Sequence, residues 1–144
     1  MKKAVAVVML VTLLGATGAA ARAETEVTGT WVMDNGKVTV RVSSCGASLC
    51  GTIVGLKKPL DKHGNAKLDR ENPNPALRSR PVIGLTILSN MRPAGSNRWK
   101  GKIYNPDDGK TYTSRMKLQG DNVMKVEGCV AGVLCKAMKF VRIK

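Results

Sequence analysis

The chain has 144 residues, with 24 Lys and Arg against 10 Asp and Glu, a formal net charge of +14, and 3% aromatic residues. That length supports one domain with its own core rather than two. The charge favours encounter with anionic surfaces and is silent about fold, while so few aromatics leave scarce stacking platforms for a single-strand nucleic-acid binder.

The first residues run Met1-Lys2-Lys3, an apolar stretch over 4–15, and small residues ending Ala21-Arg22-Ala23. This is the layout of a secretory signal peptide with cleavage after Ala23. Its apolar middle is too short to span a hydrocarbon core of about 30 Å as a retained helix. The reading is a periplasmic or secreted protein, with a signal peptide at 1–23, one domain over 24–144 and no transmembrane span. Loss of Lys2, Lys3 and Arg22 lowers the net charge from +14 to +11.

Beyond that segment, alternation of apolar and polar residues recurs and no long helical period does. In Lys37-Val38-Thr39-Val40-Arg41-Val42 the valines face one way and Lys37, Thr39 and Arg41 the other. Strands are expected over 27–33, 37–44, 50–56, 82–88, 98–104, 110–118, 122–128 and 136–143. Turn signals such as Asp34-Asn35-Gly36, Pro106-Asp107-Asp108-Gly109 and Gly120-Asp121 separate most of them. Closing such a meander into a barrel removes its exposed edges. The fold class is therefore all-β, an eight-stranded antiparallel up-and-down barrel.

One long connection, over 57–81, interrupts the meander between strands three and four. It contains Glu71-Asn72-Pro73-Asn74-Pro75-Ala76-Leu77-Arg78-Ser79-Arg80-Pro81. Each Asn before a proline is biased away from helix, and Pro75 can start a short helical turn through Ala76, Leu77 and Arg78, with Leu77 packing on the barrel. Arg78 and Arg80 have two possible employments: a ligand carboxylate or phosphate at the barrel mouth, or loop carbonyls and Asp69 or Glu71. The loop is accordingly a lid or a plug.

All four cysteines lie past the signal segment, as Cys45-Gly-Ala-Ser-Leu-Cys50 and Cys129-Val-Ala-Gly-Val-Leu-Cys135. Export makes disulfides the default, with three connectivities possible. The local pairs, Cys45 with Cys50 and Cys129 with Cys135, are preferred because each flanks a short Gly-containing turn. Zinc fits poorly: the spacers are wrong, and the single histidine, His63, sits in a Gly/Asn loop.

Gly29-Thr30-Trp31 in the first strand resembles the Gly-x-Trp signature of lipocalins, in which an arginine from near the chain end lies over the tryptophan; Arg142 stands where that arginine would be. A second resemblance is closer. Cys50-Gly51-Thr52-Ile53-Val54, then Asn72-Pro73-Asn74-Pro75-x-Leu77-Arg78-x-Arg80-Pro81-x-x-Gly84-Leu85, then Trp99-x-Gly101-x-Ile103-Tyr104-Asn105-Pro106-x-x-Gly109-Lys110-x-Tyr112 is similar to the bacterial exported domain-of-unknown-function family 2147. That resemblance covers 27–142 and implies a periplasmic or secreted lipocalin-like barrel, with no known activity. It makes Asn72, Pro73, Pro75, Leu77, Pro81 and Gly84 signature residues alongside Gly29, Trp31 and Arg142.

No catalytic constellation is legible: there is one histidine, no serine elbow and no Cys-x-x-Cys, and Asp107 and Asp108 sit in a turn that favours Asp for backbone capping. No enzyme activity, metal or cofactor is expected. An eight-stranded barrel can be filled by side chains or hold one small ligand. The inward positions include Met33, Val38, Val40, Ile53, Ile83, Ile87, Trp99, Ile103, Tyr112, Met116 and Met124, a methionine-rich set suited to a pliable pocket. The leading expectation is a carrier for a small apolar or amphipathic molecule, touched by Arg78, Arg80, Trp99, Tyr104, Tyr112 and Met116. The rival is an envelope interaction protein with a filled barrel, its basic strand faces (Lys37, Arg41, Lys100, Lys102, Arg115 and Lys117) meeting an anionic surface. Nucleic acid is the poorer partner, and the oligomeric state is open.

Overall fold

A computed structural model describes residues 26–144, so the signal-peptide segment lies outside the described residues. Eight strands follow in chain order: β1 (Gly29–Met33), β2 (Val38–Cys45), β3 (Ser48–Leu56), β4 (Thr86–Pro93), β5 (Arg98–Asn105), β6 (Lys110–Gln119), β7 (Val123–Val130) and β8 (Leu134–Arg142). Each pairs antiparallel with the next, and β8 closes the barrel on β1 through Trp31 opposite Arg142 and Met33 opposite Phe140. The fold is the up-and-down barrel that the alternating pattern implies. Side chains at every second position, such as Ser114, Met116 and Leu118 on β6, are buried, and their neighbours Arg115 and Lys117 are exposed.

The interior is filled. Trp31, Trp99, Leu49, Met91, Met116 and Met124 are fully buried in one continuous apolar cluster. Methionines supply much of this volume, as expected of a flexible side chain in a core with few aromatics. At one end, Trp31 donates from Nε1 to the Val27 carbonyl at 3.0 Å, and the Arg142 guanidinium lies 4.2 Å from the Trp31 ring centroid. Arg142 also donates from Nε to the Asp121 carbonyl, from Nη1 to that of Thr28 and from Nη2 to that of Glu26. One guanidinium thus ties three chain segments over an indole.

The strand expected at 82–88 is the chief departure. β4 begins at Thr86 and runs to Pro93. The segment before it is irregular because Val82 N–H is drawn away to the Lys67 carbonyl, and against β3 Gly84 and Leu85 together answer Ile53, Gly84 N–H donating to its carbonyl and Ile53 N–H donating to that of Leu85. Gly84 takes a φ of 103°, outside strand geometry. Ile83, expected to face inward, is therefore 42% exposed. The long connection has structure of its own, with bridges pairing Leu60 with Ala66 and Leu68 with Pro81 and a single 3-10 turn over Pro75–Leu77. Asn74 caps that turn, its Oδ1 accepting from Ala76 N–H at 3.1 Å. Leu77 is 37% exposed and so does not pack on the barrel as expected.

β4 also bulges. Ser89 pairs with Lys102 and Arg92 with Lys100, so Asn90 and Met91 together oppose Gly101 alone. Asn90 adopts a φ of 52°, one of the few residue types tolerant of that conformation, and Met91 turns fully inward.

Candidate functional site

Three places in this barrel could carry function: the capped mouth, the interior and the outer face beside the bulge.

At the mouth, the loop over 57–85 is anchored by Asp69. Its carboxylate is wholly buried, accepting from Tyr104 Oη at 2.6 Å, Asn72 Nδ2 at 2.8 Å and Arg80 Nε at 2.9 Å. A buried carboxylate needs such partners. Burial alone pushes the Asp69 carboxyl up, but the three hydrogen bonds and the Arg80 charge outweigh it and hold the group below its ordinary value. Burial first, then the bond to Asp69 and its charge, push the Tyr104 hydroxyl up. Arg78 donates from Nε to the Asn72 carbonyl at 2.7 Å. The loop also presses on the β5–β6 turn so closely that a Cβ at Gly109 would lie 1.8 Å from the Glu71 carbonyl oxygen. In that turn Asp108 accepts from Lys110 N–H and from the Tyr112 hydroxyl.

The residues singled out from the sequence therefore separate. Arg78, Arg80 and Tyr104 converge on the Asp69–Asn72 hub, Tyr112 engages Asp108, and Trp99 and Met116 are a buried cross-strand pair inside the barrel. Both arginine Nε donors are spent within the loop, the second of the two employments expected for them. Inside, Trp99 Nε1 and Ser114 Oγ are buried without a protein hydrogen-bond partner.

The outer face was legible only in part. Lys100, Lys102 and Arg115 alternate outward as the pattern demands, but Arg92 joins them only because β4 extends past the bulge. These four cations line an open concavity of about 620 Å³ together with Asn90, Gly101, Thr113 and Gly132, and no carboxylate stands among its walls. A second concavity of about 410 Å³ adjoins it, sharing Lys100 and Arg115; there Lys125 Nζ sits 2.6 Å from Glu127, so part of its charge is answered. The signal for the bulge was Asn90 facing a glycine, and one sequence cannot distinguish that from an ordinary strand.

Both local disulfides are formed, Cys45 with Cys50 and Cys129 with Cys135. Among the described residues the grouping best suited to a metal is Glu127, Cys129 and Cys135, and its two sulfurs are joined in the second of these bridges. His63 stands apart from it, its backbone N–H donating to Asp61 in the exposed loop.

A family model described as "Uncharacterized protein conserved in bacteria (DUF2147)" matches residues 29–142, all eight strands of the barrel. The chain belongs to this family. A solved structure of protein HP1028 from the human pathogen Helicobacter pylori, described as belonging to the lipocalin family, is 25% identical and superposes with a TM-score of 0.69 over 82% of this chain and 83% of that one. No curated protein matches the chain. The Trp31–Arg142 floor and the closed eight-strand order give this DUF2147 barrel its lipocalin-like character, a fold suited to ligand binding. The two disulfides fit an oxidising compartment, and among the described residues no helix is long and apolar enough to cross a membrane.

Proposed function

We propose that this DUF2147 protein is an exported, non-enzymatic binding protein whose ligand is an anionic amphiphile held against the outer face of β4, β5 and β6. The barrel is its rigid, filled scaffold. The observation that carries this reading is the concavity walled by Arg92, Lys100, Lys102 and Arg115, whose lining holds no carboxylate; Glu127, opposite Arg115 on β7 and already paired with Lys125, answers only part of that charge from the adjoining concavity. Four like charges held together on a rigid sheet repel one another, and an anion relieves that repulsion. Arginine supplies planar forks for phosphate or carboxylate oxygens there, and lysine supplies point charges. The interior offers less room, since its largest side chains are fully buried in one apolar cluster.

A second reading, a small ligand inside the barrel, is favoured by one observation, the unpartnered Trp99 Nε1 and Ser114 Oγ. Buried polar groups of this kind normally find a partner. One titration separates the two. Dihexanoyl phosphatidylglycerol, kept below its micellar concentration, is added while amide and indole N–H resonances are followed. The outer-face reading expects shifts at Lys100, Lys102 and Arg115 and loss of binding in the R92E/K100E variant. Shifts confined to the Trp99 indole N–H and Ser114, unaffected by R92E/K100E, would overturn it in favour of the interior.

A further inference from the structure

The hairpin joining β7 to β8 is an apolar finger. Between its bridged cysteines it reads Val130-Ala131-Gly132-Val133-Leu134, with no polar side chain. Val130 is 53%, Val133 79% and Leu134 74% exposed. Aliphatic side chains clustered in solvent on an otherwise strongly charged surface mark a contact site more often than a neutral surface.

The finger is held in place. Cys129 and Cys135 are directly opposed and bridged, and Val133 N–H donates to the Val130 carbonyl across Ala131 and Gly132, both with φ near that of primed hairpin turns (51° and 71°). Asn, Asp or Gly is the ordinary choice for the first of those two positions; alanine accepts the left-handed conformation while keeping the tip apolar. Arg115, on the outer face of β6, donates from Nη2 to the Gly132 carbonyl at 3.0 Å and binds the tip to that face. Gly132 is itself a wall of the cationic concavity. The apolar finger and the four cations are therefore one contiguous surface.

We infer that this surface docks on an anionic lipid bilayer, the Val133–Leu134 tip entering the interfacial layer while the concavity seats a lipid phosphate. Interfacial proteins combine these two elements, aliphatic side chains for the acyl boundary and Lys or Arg for the anionic headgroups. The charge argues for lipid over a second copy of the chain, because two such faces brought together would oppose four cations to four. The inference rests on the outer-face reading above and adds the source of the amphiphile: it is taken from a membrane rather than from solution.

Flotation of the protein purified from its own cells tests it, using phosphatidylcholine vesicles with and without phosphatidylglycerol. Flotation is expected only with phosphatidylglycerol, weakening with salt and by about fivefold for each cation removed from the concavity. V133S/L134S, which removes the apolar tip without adding charge beside the concavity, is expected to lower vesicle binding by about tenfold or more while leaving binding of soluble dihexanoyl phosphatidylglycerol unchanged. R92E/K100E is expected to lose both. Equal flotation of wild type and V133S/L134S overturns the membrane inference, as does a wild type that binds the soluble lipid yet never floats; failure of soluble-lipid binding as well sinks the outer-face reading too. A dimer abolished by V133S/L134S would assign the finger to self-association instead. Should that variant fail to fold, L134W reads the same step: its added emission blue-shifts and is quenched by brominated lipid if the tip enters the bilayer, and an unchanged spectrum overturns the inference.

Discussion

Tyr104 on β5 donates a 2.6 Å hydrogen bond to Asp69, a residue 35 positions earlier and fully buried in the long loop. This contact, with those from Asn72 and Arg80, makes the loop part of the barrel. Its removal should be felt in stability first. Asp69→Asn loses the charge that Arg80 answers and places an amide N–H₂ among donors, so a loss of about 2–3 kcal/mol is expected. Tyr104→Phe leaves Asp69 its other partners and should cost about 1 kcal/mol. Urea denaturation measures both. Hydrogen exchange locates the effect: the amides of Asp69, Arg80 and Val82, each bonded within the loop, should exchange faster in Asp69→Asn while those of β6 and β7 change less. Uniform acceleration across the barrel would show that the hub holds the whole fold and not the loop alone.

The same hub sets a pH dependence whose sign follows from the shifts. Asp69 is held below its ordinary value, so its stabilisation is present above the unfolded carboxyl value of about 4 and is lost as pH falls through the depressed folded value. Tyr104 is pushed up, so its contribution is present below about 10 and is lost as pH rises through the elevated value. Melting temperature should be level through neutral pH and fall at both extremes. Asp61, Asp108 and Glu127 are also lowered and share the acid limb. The discriminating result is therefore a difference: the gap between wild type and Asp69→Asn should narrow as pH drops below about 4, and a constant gap would remove Asp69 from the acid response.

How much of this was legible in the sequence depends on what each residue's neighbours decide. Strand alternation such as Val38, Val40 and Val42 reports burial directly, and so the barrel could be read from one chain. The Pro75 turn was legible because proline fixes φ and Asn74 caps locally. By contrast, the apolar residues Val82, Ile83 and Leu85 imitate a strand, and what makes them loop is the bond drawing Val82 to Lys67 and the positive φ of Gly84. The β4 bulge hid Arg92 from the outer face for a similar reason, since register is set by the partner strand. The apolar finger was read only as a disulfide loop, because periodicity does not tell a buried hairpin tip from one projecting into solvent.

Arg142 over Trp31 gives a third expectation. The guanidinium combines a ring contact at 4.2 Å with bonds to carbonyls of Asp121, Thr28 and Glu26. Arg142→Ala should lose about 2–4 kcal/mol, from a cation over a ring plus carbonyls left without their donor. Arg142→Lys keeps the charge but not the planar fork, and should recover less than half of that loss. Full recovery by lysine would mean that the cation alone, and not the tie among three segments, stabilises the floor. Urea midpoints compared with near-ultraviolet dichroism of the tryptophans decide it.

Gly101→Ala tests the link between the bulge and the outer face. A Cβ there would lie 2.5 Å from the Ser89 carbonyl oxygen, 2.6 Å from that of Asn90 and 2.7 Å from Met91 Sδ, and two of these three atoms are backbone that cannot swing aside. Overpacking of this kind costs about 1–3 kcal/mol, equivalent to a fall of roughly 3–15 °C in melting temperature for a domain of this size. The chain can relieve the clash by drawing β4 away from β5. That would displace Arg92 from Lys100, its partner across the bulge. The variant should therefore lose affinity for soluble anionic lipid by more than its stability alone explains, when both are measured at a temperature where it stays folded. Ser43→Ala, at an exposed position of β2 remote from the concavity, serves as the reference and should alter neither quantity. Unchanged lipid affinity in a folded Gly101→Ala protein would separate the bulge from binding and leave Gly101 a packing residue only.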